Sequence, residues 1–143
     1  MAMSRVLAAA LLLSAAASSV PAQTVDEIVA RNAAARGGAA AWRAVETLRY
    51  GGSMEVGKGV SVPFRLELKR PGKMRLEFDF AGATAIQTFD GGRGWRLLPF
   101  RGEEEASPLT GADLAAALVQ ADLEGPLLGY AAKGHALELV GRT

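Results

Sequence analysis

The chain has 143 residues, half of them apolar, with 16 basic and 15 acidic side chains, one histidine and no cysteine. That length supports one domain. The lack of cysteine excludes disulfides, thiolate metal sites, a cysteine nucleophile and lipid attachment at a cysteine, and charges interspersed along the chain, with no basic stripe, point away from nucleic acid as a partner.

At the N-terminus Arg5 precedes an apolar run, Val6–Ala17, broken only by Ser14, and Val20-Pro21-Ala22 offers small residues for cleavage. This is the layout of a secretory signal peptide over 1–22. The run is shorter than the ~20 apolar residues that a membrane span needs. The expected mature domain, 23–143, is that of an exported protein. Losing Arg5 with the leader brings the basic residues level with the 15 acidic ones.

The mature chain opens with a helix. Thr24 and Glu27 have the spacing of a capping box, Val25, Ile28 and Val29 supply an apolar stripe, and Gly37-Gly38 stops it. A short helical turn over Ala39–Val45 carries Trp42 as a core anchor. From Glu46 the period changes to two, and five strands are expected in "TLRYGGSMEVG", "VSVPFRLELKR", "MRLEFDF", "ATAIQTF" and "GWRLLPF". The links between them are short and glycine-rich, which implies an antiparallel meander. A charged loop, "RGEEEAS", leads to a second capping box at Thr110 and Asp113 and a helix with Leu114, Leu118 and Val119 on one face, ended by Gly125-Pro126. The final run "HALELVG" alternates as a sixth strand.

Alternation puts Phe64, Leu66, Leu68, Met74, Leu76, Phe78 and Phe80 on one face of the sheet and charged residues on the other. Arg70, just before Pro71, has the parity of the apolar set. Either it reaches a partner on that face or it snorkels from the strand end to solvent. The apolar positions also have two readings: ordinary core under the helices, or the lining of a cavity for an apolar ligand.

No constellation for catalysis is visible. His135 stands alone, Ser53, Ser61 and Ser107 have no nucleophile setting, and Glu103, Glu104 and Glu105 form a solvated run. The expectation is a protein that is not an enzyme, with no metal and no cofactor.

Lys69-Arg70-Pro71, a hairpin, Asp90-Gly91, Trp95 and Pro99-Phe100 follow one another in an order and spacing that resembles the periplasmic outer-membrane lipoprotein carriers LolA and LolB and the wider outer-membrane lipoprotein-sorting group. The resemblance spans about Thr24 to Thr143. It implies an α+β fold in which a bent antiparallel sheet forms an incomplete β-barrel, with an N-terminal helix and an inserted lid helix near Thr110–Glu124. It implies further that lipoprotein acyl chains, or a similar lipid, occupy a cavity lined by Phe64, Leu66, Leu68, Leu76, Phe78 and Trp95, with Leu114 and Leu118 from the lid. Arg70 matches the family arginine that hydrogen-bonds to the lid and holds it shut until cargo is loaded. Partners of such a carrier include transport components of the inner and outer membranes. The family runs on for several more strands, so C-terminal strands are expected to be missing here. The lack of a lipidated cysteine points away from the anchored acceptor. A lipid-sensing regulatory module of the envelope that controls a partner protein is the alternative, and a domain filled by its own side chains is the third reading.

Overall fold

The computed structural model describes residues 23–141; the leader expected over 1–22 lies outside them. Helix α1 (Val25–Ala35) begins at the capping box read from the sequence: Glu27 N–H donates to Thr24 Oγ1 at 3.2 Å, and Thr24 N–H donates to Glu27 Oε2 at 3.0 Å. Gly37 and Gly38, both at positive φ, redirect the chain into α2 (Ala39–Ala44). There the Trp42 indole N–H donates to the Arg36 carbonyl at 2.8 Å, and the Arg36 guanidinium lies over the indole ring.

Six strands follow: β1 (Thr47–Gly57), β2 (Val60–Lys69), β3 (Lys73–Phe80), β4 (Ala83–Asp90), β5 (Gly94–Leu97) and β6 (Ser107–Pro108). They form one antiparallel sheet in chain order, with β1 and β6 as its edges, so the sheet does not close on itself. With helix α3 (Gly111–Gln120) the fold is α+β.

The register fixes the two faces, because directly paired residues share a side of the sheet. One row runs Leu48, Leu68, Met74, Phe89, Gly94, and the next runs Tyr50, Leu66, Leu76, Gln87, Arg96, Ser107. On the opposite face Arg49, Glu67, Arg75, Thr88 and Trp95 form one row, and Thr47, Lys69, Lys73 and Asp90 another. The core lies where α3 crosses the apolar face: Leu66, Leu68, Met74 and Phe89 pack with Leu109, Ala117, Ala121 and Leu123. Trp42 and Val45 of the α2 segment, with Leu48, Phe64, Leu76 and Leu114, pack against that cluster.

Four expectations are corrected. The fifth strand stops at Leu97, and Pro99–Arg101 forms a 3₁₀ turn, since proline cannot donate to a ladder. The run at 135–141 forms no ladder among the described residues and is not a strand; Val140 is 94% exposed. Alternation gives a segment two faces but does not supply a neighbour. The place beside β5 is taken instead by Ser107 and Pro108. The second capping box does not form, because Thr110 makes no side-chain cap and Asp113 Oδ2 accepts from Arg96 Nη1 at 2.7 Å. Finally, α3 ends at Gln120 and buries Ala117, with Ala121 buried one residue beyond, while Leu118 and Val119 are 58% and 65% exposed. Small residues let the helix lie close to the sheet, so the packed stripe is Leu114, Ala117 and Ala121.

Candidate functional site

Arg70 follows the last residue of β2, and its own N–H donates to the Glu46 carbonyl at 3.0 Å. The side chain keeps the apolar-face parity and turns inward rather than into bulk water. Its Nε donates to the Val45 carbonyl at 2.8 Å, and its Nη2 donates to the Trp42 carbonyl at 3.1 Å and to Glu124 Oε1 at 2.8 Å. A planar guanidinium is suited to this, because several N–H groups in fixed directions reach acceptors on separate segments at once. One side chain thus joins the end of β2, the C-terminal turn of α2 and the segment after α3.

A second cation braces the same carboxylate. Lys133 Nζ donates to Asp122 Oδ2 at 2.6 Å and to the Gly125 carbonyl at 2.8 Å, and stands 3.6 Å from Glu124 Oε2. Arg36 Nη1 donates to the Glu124 carbonyl at 3.1 Å, and the Tyr130 hydroxyl donates to Asp26 Oδ1 at 2.8 Å. The N-terminal helices and the 121–135 segment are therefore held together by polar contacts, at the end of the sheet where Arg70 sits.

The apolar face divides into two parts. Near Arg70 it is covered and packed. Farther along the strands Val62 and Ala85 are buried, but the aromatic side chains are only partly covered. There Tyr50 and Phe64 meet edge to face at 6.2 Å, and Phe100 lies 5.0 Å from Phe80 and 6.1 Å from Phe78, centroid to centroid. None of these rings is buried. Val56, Phe78, Phe80, Leu98, Phe100 and Arg101 line a depression of about 330 Å³. A separate depression of about 420 Å³ lies against α3, between Leu118, Val119, Leu123, Pro126 and Arg70.

The eight residues expected to line one cavity are not brought together in one. Leu66 and Leu68 are buried core, and Phe64, Leu76 and Leu114 pack against that core. Phe78 faces the open part. Leu118 lines the depression on the outer side of α3, next to Arg70. Trp95 is on the charged face: Phe89 pairs with Gly94, so Trp95 pairs with Thr88, and the residue is 39% exposed. Gly94 takes the apolar-face position because Leu109 packs directly over it; a Cβ there would stand 2.6 Å from Leu109 Cδ1.

Several residues of the site carried no usable signal in the sequence. The Val45 and Trp42 carbonyls are backbone acceptors, and Glu124 is one of many charged residues in the chain. Phe100 does have a signal, since Pro99-Phe100 ends the fifth alternating run, and Phe80 shares the parity of Phe78.

Comparison with family models, with curated proteins and with solved structures finds no match to this chain.

Proposed function

We propose that the protein is a periplasmic lipid-binding carrier of the lipoprotein-sorting type, in which the unclosed sheet is one wall of an incomplete β-barrel. Acyl chains of lipoproteins, or of a similar lipid, lie on its open apolar half. The observation that carries this reading is Arg70: an arginine on the apolar parity of the sheet, bonded to the Val45 and Trp42 carbonyls and to Glu124. It is placed to govern whether the helices stay down on the sheet. Also in favour are the open aromatic surface beside the packed core and the leader read at 1–22.

The energetics suit reversible capture. An acyl chain transferred from water gains ~0.8 kcal/mol per buried methylene, so even partial burial outweighs one or two hydrogen bonds at ~1.5–3 kcal/mol each to a charged group. Cargo that takes over the contacts of Leu109, Ala117, Ala121 and Leu123 on the core face can lift the helices, and the Arg70 bonds favour their return once cargo leaves. In this scheme Phe78, Phe80 and Phe100 receive the chain first. Phe64 and Leu76 come next, and Leu66 and Leu68 join only when α3 moves.

Binding of a fluorescent fatty acid to the mature chain tests this. Saturable binding is expected, weakened about tenfold or more by Phe78→Ser with Phe80→Ser, since two aromatic contacts are lost. A chain that extracts no lipid when purified from the periplasm, and binds no fatty acid, would rule the reading out. Recovery of mature lipoproteins with the loaded protein separates a carrier from a lipid-sensing module acting on a partner protein.

A further inference from the structure

The charged face of the sheet bears a feature that the lipid reading does not use. A depression of about 590 Å³ lies over the strand ends next to the β2–β3 turn, and its outward-facing lining is Thr47, Arg49, Glu67, Lys69, Lys73 and Arg75. Four of those six are cations and one is a carboxylate. The sequence conceals this grouping, because Lys69 and Lys73 belong to different strands. The register sets them directly opposite each other, with Cβ atoms ~4.5–5.5 Å apart, and like charges so placed repel.

The nearby carboxylates are otherwise engaged. Glu67 pairs with Arg49 Nε at 2.8 Å, and Glu77 accepts from Arg75 Nε and Nη2. Asp90, opposite Lys73 on β4, has its Oδ1 turned to the N–H groups of Gly92 and Arg93. Among the described residues neither lysine pairs with a carboxylate. Arg49 retains both terminal nitrogens, and Arg75 retains one, for another acceptor. Thr47 lines the same depression, beside two ammonium groups that form no ion pair among the described residues, although Asp90 is the direct cross-strand neighbour of Lys73.

We propose that this depression is a phosphate-binding site. Two ammonium groups side by side neutralise a dianion. The arginine N–H groups left free at the rim can donate to the oxygens of a tetrahedral phosphoryl group. The group recognised is a phosphate monoester or diester, on a free metabolite or on the headgroup of an anionic lipid. The site lies on the opposite face from the acyl surface and stands whether or not that surface holds lipid.

The test is a titration of backbone amide resonances with inorganic phosphate against sodium chloride at equal ionic strength. A saturable shift is expected at Thr47, Lys69 and Lys73. Lys69→Ser with Lys73→Ser should weaken it about tenfold or more, as charge-assisted bonds are lost, without lowering the melting temperature, because a repulsive pair is removed. Lys58→Ser with Arg31→Ser removes the same charge elsewhere and should leave the shift intact. Sedimentation with phosphatidylglycerol vesicles, against phosphatidylcholine, identifies the source. Binding to the former that inorganic phosphate displaces assigns the site to a headgroup, and phosphate binding without vesicle binding assigns it to a soluble phosphoryl ligand. Absence of both, or equal loss in the two double variants, overturns the proposal.

Discussion

Replacing Arg70 by leucine tests the central contact. The guanidinium makes one bond to a carboxylate and two to backbone carbonyls, and the two side chains of the ion pair are 30% and 14% exposed. Hydrogen bonds to a charged group contribute ~1.5–3 kcal/mol each, but those of one side chain are not additive. Partial exposure lowers the value further, because water replaces some of what is lost. Glu124 is not left alone, since Lys133 Nζ remains 3.6 Å from it, and the leucine recovers some apolar contact. The net loss should be about 2–4 kcal/mol, which at roughly 4 °C per kcal/mol for a domain of this size lowers the melting temperature by roughly 8–16 °C. Arg70→Lys should fall between, as an ammonium keeps the charge but not the fork. Calorimetry gives the magnitude, and hydrogen exchange of the α2 amides gives its location, because the lost acceptors are on Trp42 and Val45. In the lipid-carrier reading Arg70→Leu also takes up fatty acid more readily and hands it on more slowly. If Arg70→Leu melts within about 2 °C of the parent and α2 exchanges at the parent rate, the guanidinium does not hold the helices down, and a strand-end residue would be all it is.

Four other substitutions probe separate parts of the structure. Gly94→Ala should cost about 1–3 kcal/mol by denaturant melting, since its Cβ would stand 2.6 Å from Leu109 Cδ1 and 2.9 Å from the Thr88 carbonyl, and the latter cannot rotate away. Trp95→Ala and Leu118→Ser should bind fatty acid within about twofold of the parent, because Trp95 is on the other face and Leu118 points away from the sheet's open half; a tenfold loss at Trp95 would show that lipid is held on the charged side. The bond from Tyr130 to Asp26, with lesser contributions from desolvation and the carboxylate charge, raises the phenol above its ordinary 10.0. The folded state thus favours the protonated phenol: the contact is fully present below the ordinary value and is lost as pH rises through the raised one. Melting temperature should fall on that alkaline side, and Tyr130→Phe should remove this part of the fall.

The hairpins were legible because each strand carries its own alternation and each turn its own glycine, so local signals agree with the ladder pairing. Arg70 was legible for the same reason: parity alone assigns it to the apolar side. Trp95 was not, since hydrophobicity drew it to the apolar face while the loop Asp90–Arg93 set the register by one residue the other way. A count from Phe89 across that loop would have shown it, but only given that Phe89 pairs with Gly94. The α3 face failed similarly. Leu118 and Val119 outweigh Ala117 and Ala121 on any hydrophobicity scale, yet the side that packs is the one that fits the space above Met74 and Phe89. The basic depression could not be read along the chain at all, because Lys69 and Lys73 flank a turn and become a pair only across the ladder.

These cases share a physical cause that also bears on function. An element's own pattern says which residues could be buried, and the partner element decides which are. Where the partner is a neighbouring strand with a short turn, the decision is local. Where it is α3, Leu109 or the 121–135 segment, it depends on contacts far along the chain, and those are the contacts that Arg70 and Lys133 secure through Glu124. The covering layer is held by polar bonds at one end of the sheet and by the packing of Leu109, Ala117, Ala121 and Leu123 on the core face, whereas the sheet itself is held by its ladder. In the lipid-carrier reading, release of the helices would expose Leu66, Leu68, Met74 and Phe89 as one surface continuous with Phe64 and Phe78, and the acyl chain would have to replace the contacts those residues now make with Leu109, Ala117, Ala121 and Leu123.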